Sequence, residues 1–169
     1  YIDPEAAFRI IEKLPPFVST VAVTVNEPPD RLNAYLTFVD LVQLHGEESP
    51  DVCRRVASRC VKAFRARADF DVAGMAQYPA RAYLLDAFVA GARGGTGARG
   101  DWGVAQAAVA MGYRLIVAGG LTPDNVGEAV RTVRPYGVDT AGGVESAPGR
   151  KDYELIKRFI SNAKYSSLS

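Results

Sequence analysis

Residues 113–133 read YRLIVAGGLTPDNVGEAVRTV and contain one complete structural unit. The apolar run 113–118 predicts a strand, Gly119 and Gly120 predict a turn, and Thr122-Pro123-Asp124 predicts the capped start of a helix that ends at Val133. A strand followed by a capped helix is typical of parallel α/β proteins.

The same alternation extends over the rest of the chain. Strands are predicted at 18–25, 39–44, 60–64, 83–86, 113–118 and 137–139, and helices at 3–14, 28–36, 50–57, 69–78, 101–111, 122–133 and 153–163. Connections are short, so residues 1–169 are predicted to form one domain of about six strand–helix units. The pattern alone leaves both a closed (βα)8 barrel and an open doubly wound sheet possible.

The composition of the chain disfavours several classes of function. The chain has 169 residues, 48% of them hydrophobic, and a formal net charge of +1, which disfavours nucleic-acid and membrane partners. Cys53 and Cys60 are predicted to be buried free thiols in a cytoplasmic protein. The single histidine and the two thiols do not have the spacing of a metal site.

Polar residues that follow the predicted strands are the candidate site residues, because ligands of parallel α/β proteins bind at the carboxyl ends of strands. Asp86 is predicted to be a general acid or, alternatively, a solvated carboxylate. A structural role for His45 is favoured over a catalytic one, and Arg65 could pair with a substrate or form a surface salt bridge. The remaining candidates of this kind are Asn26, Glu27, Gln43 and Asp139.

Two glycine pairs, Gly119-Gly120 and Gly142-Gly143, each follow a predicted strand. Their backbone N–H groups, with a helix start, could bind a phosphate, although glycines also serve simply to make tight turns. Neither pair fits a dinucleotide or nucleoside-triphosphate motif. Residues 87–100 are predicted to form the longest loop, with Gly95, Thr96 and Gly97 in a lid over the substrate.

Five segments together resemble the phosphoribosylanthranilate isomerases of tryptophan biosynthesis. They are Leu41-Val42-Gln43-Leu44-His45-Gly46-Glu47-Glu48, Leu84-Leu85-Asp86, Gly94-Gly95-Thr96-Gly97 with Asp101-Trp102, Ala118-Gly119-Gly120-Leu121-Thr122-Pro123-Asp124-Asn125-Val126, and Val138-Asp139 with Gly143-Val144-Glu145 and Pro148-Gly149-Arg150-Lys151-Asp152. The resemblance implies a (βα)8 barrel that rearranges N-(5-phosphoribosyl)anthranilate without a cofactor.

By the same resemblance, Asp86 matches the general acid that protonates the ribose ring oxygen. The two glycine pairs match the phosphate site, and residues 94–97 match the active-site loop. Gln43, His45, Arg65 and Asp139 are expected to contact the substrate because of their positions at the ends of predicted strands.

The chain also departs from the family's pattern. The family's first strand, helix and second strand, with the cysteine that acts as general base, are expected to be absent, so the barrel would be incomplete and the chain inactive or nearly so. An exposed edge at residues 18–25 would then favour homo-oligomers. Thr140-Ala141-Gly142 stands where the family more often has Val-Ser-Ser.

Two other functions remain open from the sequence. The chain could be a different barrel enzyme that acts on a sugar phosphate, or a non-catalytic barrel fragment or assembly module that binds phosphate without turnover. Phosphate-dependent stabilisation without turnover would indicate the latter.

Overall fold

The structure is a computed structural model, and it describes residues 1–67, 69–86 and 102–166. The helices are α1 (Pro4–Ile11), α2 (Pro29–Tyr35), α3 (Pro50–Arg55), α4 (Gly103–Ala110), α5 (Val126–Val133) and α6 (Tyr153–Ser166). The strands are β1 (Val21–Thr24), β2 (Leu41–Leu44), β3 (Cys60–Arg65), β4 (Ala82–Asp86), β5 (Leu115–Ala118), β6 (Gly137–Val138), β7 (Glu145–Ala147) and β8 (Arg150–Lys151).

Strands β1 to β6 form one sheet in sequence order. The pairings β1–β2, β2–β3, β4–β5 and β5–β6 are all parallel, with helices in most of the connections. The predicted α/β class with six strands is therefore confirmed.

The chain divides into two compact units. The first contains Tyr1–Ala63 and Gly74–Ala82, and the second contains Phe64–Ala73 and the described residues of Tyr83–Ser169. Each has its own buried apolar side chains. Those of the first include Leu32, Val42, Leu44, Cys53, Val56 and Cys60, and those of the second include Leu84, Leu85, Leu115, Val117, Val126 and Ala129.

Local sequence explains where the first helix begins. Asp3 is the N-cap of α1, its carboxylate accepts a hydrogen bond from Ala6 N–H at 2.9 Å, and Pro4 opens the helix. This start agrees with the sequence prediction. The helix nevertheless buries none of its residues completely.

Two predicted helices differ from the structure, and the structure adds one hairpin. Residues 69–78 form only a short 3-10 helix, Ala73–Gln77, because this stretch contains Gly74 and buries only Met75. Helix α5 begins at Val126 instead of residue 122, since Asn125 Oδ1 and the Thr122 hydroxyl accept hydrogen bonds from nearby N–H groups and stabilise a turn. The antiparallel β7–β8 hairpin was not predicted.

Within the described ranges, no helix combines the length and the apolar composition needed to cross a membrane.

Candidate functional site

Asp86 is the last residue of β4 and is half-buried. Buried Leu84 and Leu85 precede it, and its backbone oxygen accepts a hydrogen bond from Ala66 N–H at 3.2 Å. Since Ala66 follows Arg65 directly, this bond brings the exposed Arg65 to the same end of the sheet as Asp86. Both residues belong to the second unit.

The strand register brings this carboxylate beside the glycine turns. Asp86 pairs with Ala118, so Gly119 comes immediately after the residue next to Asp86. On the other side of β5, Asp139 N–H donates to Val117 O at 2.8 Å. The carboxyl ends of β4, β5 and β6 therefore lie together, as the sequence predicted for this set.

Glycine is required in both turns, for different reasons. Gly119 and Gly120 have φ angles of 93° and 67°, in the left-handed region that favours glycine. A Cβ on Gly143 would lie 1.8 Å from Leu121 O, so the second turn approaches the first more closely than any side chain allows. The Thr140 hydroxyl donates to the same oxygen at 2.7 Å.

The predicted contribution of a helix start to the phosphate site requires correction. Helix α5 starts at Val126, well after Gly120, and residues Gly142–Val144 form only one 3-10 turn. The phosphate site itself stays a prediction.

Gln43 and His45 lie in the first unit, at the end of β2. His45 Nδ1 and Gln43 Oε1 are 2.9 Å apart. Because an amide oxygen only accepts, Nδ1 carries the proton in this pair. His45 N–H also donates to Thr24 O at 2.8 Å, which fixes the chain after β2.

A buried ion pair in the first unit was missed from the sequence. Lys62 Nζ donates to Glu48 Oε2 at 2.8 Å, and both side chains are almost fully buried. Lys62 also donates to Gly46 O at 2.7 Å, and Glu48 Oε1 accepts from Asn26 N–H at 2.8 Å. Burial opposes ionisation of Glu48, but the hydrogen bonds from Lys62 and Asn26 outweigh it and hold the pKa of Glu48 below its ordinary value. The sequence signal that could have indicated this pair is Lys62, a charged residue within the otherwise apolar predicted strand 60–64.

Both cysteines are buried and free, as predicted. A hydrogen bond with Cys53, together with burial, raises the pKa of Cys60. A thiol with a raised pKa is a poor nucleophile or base at neutral pH.

Gly95, Thr96 and Gly97, the predicted lid, and Asp101 lie outside the described residues. Among residues 1–67, 69–86 and 102–166, no group of three or more His, Cys, Asp or Glu side chains is arranged to hold a metal ion.

The fold and the second unit's strand ends define a class: a parallel α/β protein with a carboxylate beside two glycine turns at the carboxyl ends of its strands. Comparison with known proteins defines the family. The family model for N-(5'-phosphoribosyl)anthranilate isomerase matches residues 2–162. The isomerase of Trichlorobacter lovleyi is 50% identical over 166 residues, which cover 97% of this chain and 81% of that protein. This chain belongs to the N-(5'-phosphoribosyl)anthranilate isomerase family.

Solved structures agree with this assignment. The crystal structure of the isomerase from Thermotoga maritima matches with a TM-score of 0.86 and 40% identity, covering 98% of this chain and 82% of that one. A second isomerase structure, at TM-score 0.84 and 39% identity, contains reduced 1-(o-carboxyphenylamino)-1-deoxyribulose 5-phosphate and covers 98% of this chain and 81% of that one. A third describes monomers generated from the dimeric Thermotoga maritima enzyme, at TM-score 0.79 and 36% identity, with 98% and 81% covered.

The family, the barrel fold class and the enzyme class predicted from the resemblance are confirmed. The chain is an isomerase of tryptophan biosynthesis by this homology. The expectation that the chain is inactive finds no support in the comparisons.

Proposed function

We propose that the second unit binds the phosphate of N-(5'-phosphoribosyl)anthranilate in its two glycine turns and opens the ribose ring with Asp86. The register that pairs Asp86 with Ala118, next to Gly119-Gly120, carries the proposal. It gives a carboxyl group and a set of backbone N–H groups at one sheet end, the two functions that a sugar-phosphate substrate requires.

The reaction is an internal redistribution of hydrogen. Asp86 donates a proton to the ring oxygen as the bond between this oxygen and the anomeric carbon breaks. The lone pair of the substrate nitrogen forms a C=N bond at the anomeric carbon as the ring opens. A base then takes a proton from the neighbouring sugar carbon, which gives an enolamine. The enolamine gains a proton at the former anomeric carbon, loses the proton of its enol hydroxyl and so becomes the ketone of the product. Atoms and electrons balance within the substrate, so the rearrangement needs no redox cofactor. We assign no base among the described residues.

Arg65 and Asp139 are proposed to contact the substrate, because Arg65 ends β3 and Asp139 follows β6 at the sheet end that carries Asp86. Gln43 and His45 keep the same proposed role in the first unit. A proposed lid at Gly95, Thr96 and Gly97 rests on the resemblance alone.

The direct test is turnover of N-(5'-phosphoribosyl)anthranilate by the purified protein. The expected result is loss of the substrate with formation of the carboxyphenylamino-deoxyribulose phosphate, and inhibition by inorganic phosphate that competes with substrate. Absence of turnover together with absence of phosphate binding would contradict the proposal.

We also propose that residues 1–169 self-associate through β1. This strand is an edge strand of the sheet: one side pairs with β2, and the other side has no partner strand among the described residues. Val23 and Val25 are 62% and 63% exposed, and a groove of about 900 Å³ lies between α1 and β1. An unpaired strand edge with apolar side chains is a template for pairing with another strand.

Sedimentation of the wild type and of Val23→Lys tests this second proposal. We expect a dimer or larger species that becomes monomeric in Val23→Lys, whereas the exposed α4-end variant Met111→Lys retains the assembly. A monomeric wild type at micromolar concentration would refute self-association through β1.

A single domain and a cytoplasmic location stay predictions.

A further inference from the structure

Three peptide carbonyls in the two glycine turns of the second unit accept hydrogen bonds from side chains. Asn125 Nδ2 donates to Gly120 O at 3.0 Å, the Thr140 hydroxyl donates to Leu121 O at 2.7 Å, and Lys151 Nζ donates to Ala141 O at 2.7 Å. The three donors come from three places: the cap of α5, the segment after β6, and β8.

A planar trans peptide holds its C=O and its N–H in opposite directions. Fixing Gly120 O on Asn125 therefore turns the N–H of Leu121 the other way, and fixing Ala141 O on Lys151 does the same for the N–H of Gly142. The Leu121–Thr122 peptide is held at both ends, since Thr122 N–H donates to Asn125 Oδ1 at 2.8 Å. The orientation of each of these peptides is set from outside the turn.

Orientation matters for an anion, because a carbonyl oxygen that faces it repels and an N–H that faces it attracts. The glycines leave the turns free to rotate their peptides, so something else has to select the attractive orientation. The three side chains supply that selection before any ligand arrives.

We propose that Asn125, Thr140 and Lys151 are positioning residues for the phosphate site: they hold carbonyls of the two glycine turns away from the anion. The inference rests on the proposed function, which puts the phosphate in these turns. The Thr140 hydroxyl connects the second turn to the first. Lys151 is itself held by Glu145, whose Oε1 lies 2.7 Å from Nζ, so the lysine acts here as a fixed donor.

Titration of the full chain with inorganic phosphate, followed by calorimetry, tests the proposal. Thr140→Val removes the hydroxyl at nearly constant volume, and Thr140→Ser keeps it. We expect phosphate to bind about tenfold more weakly to Thr140→Val, the effect of one lost hydrogen bond that supports a charged group, and within about twofold of wild type to Thr140→Ser.

Lys151→Met provides a second variant on an exposed side chain, with Lys157→Met as its charge-matched control on α6. We expect weaker phosphate binding only for Lys151→Met. The melting temperature without phosphate separates the two roles, because a purely structural residue would lower it and leave the phosphate dissociation constant unchanged.

The outcomes are distinct. If wild type binds phosphate and Thr140→Val and Lys151→Met bind it equally tightly, the positioning role is refuted and the phosphate site stands. If wild type itself binds no phosphate, both the site and the positioning role are refuted.

Discussion

The polar groups near the carboxyl ends of the strands are arranged differently in the two units. In the first unit, the ion pair between Glu48 and Lys62 neutralises the charges internally and uses backbone groups of Asn26 and Gly46 as further partners. In the second unit, glycine turns replace side chains and a half-buried carboxyl group, Asp86, ends a strand. A closed polar network stabilises a fold, whereas oriented backbone groups beside a carboxylate can bind and transform a ligand.

The largest expected effect belongs to Asp86. Replacing it by Asn keeps its size and removes its acidic proton, so kcat should fall by about 10² to 10⁴ while the free energy of unfolding changes little. Steady-state turnover and chemical denaturation measure the two quantities. Asp51→Asn, an exposed change on α3, should retain full activity. Activity of Asp86→Asn within twofold of wild type would end its assignment as the acid.

Lys62→Met is expected to have the next largest effect, a decrease in the free energy of unfolding. Removing Lys62 leaves the Glu48 carboxylate buried without its cation, which should lower the free energy of unfolding by about 3–5 kcal/mol. Urea denaturation measures it. Lys157→Met breaks an exposed pair with Glu154 and should cost at most about 1 kcal/mol. Equal effects of the two lysine changes would mean that the buried pair contributes no more than a surface pair.

Neighbouring glycines in the second turn provide a matched comparison. Gly143→Ala brings a methyl group against Leu121 O and should destabilise the protein by about 1–3 kcal/mol while weakening phosphate binding. A Cβ on Gly142 meets nothing within 4 Å among the described residues, so Gly142→Ala should change stability by under about 0.5 kcal/mol. Similar thermal melts for the two variants would show that the turns are not closely packed.

The smallest effect is a pH dependence in the first unit. The pKa of Glu48 is held below its ordinary value, so Glu48 stabilises the fold above about pH 4.3, and this contribution is lost as the pH falls through the lowered pKa. Glu48→Gln should therefore show a shallower loss of stability on the acid side than wild type. The exposed change Glu128→Gln should leave the slope as it is. An unchanged acid slope in Glu48→Gln would refute this role.

The sequence predicted the parallel strands, the place of Asp86 at the end of a strand and the turns at both glycine pairs, because each depends on a short local pattern at a strand end. It did not predict the Glu48–Lys62 pair, since these residues are far apart in the chain and meet only through the pairing of β2 with β3. The start of α5 was predicted too early because Thr122-Pro123-Asp124 has the composition of a cap, whereas residues 122–125 form a turn before the helix in the folded chain. The β7–β8 hairpin was missed because its strands are only three and two residues long.

The most direct test of the account is a crystal structure of the protein with reduced 1-(o-carboxyphenylamino)-1-deoxyribulose 5-phosphate. We predict that the phosphate accepts hydrogen bonds from N–H groups of the turns at Gly119-Gly120 and Gly142-Gly143, and that the Asp86 carboxyl group faces the sugar chain. A phosphate bound away from these turns, or a sugar chain out of reach of Asp86, would contradict the account.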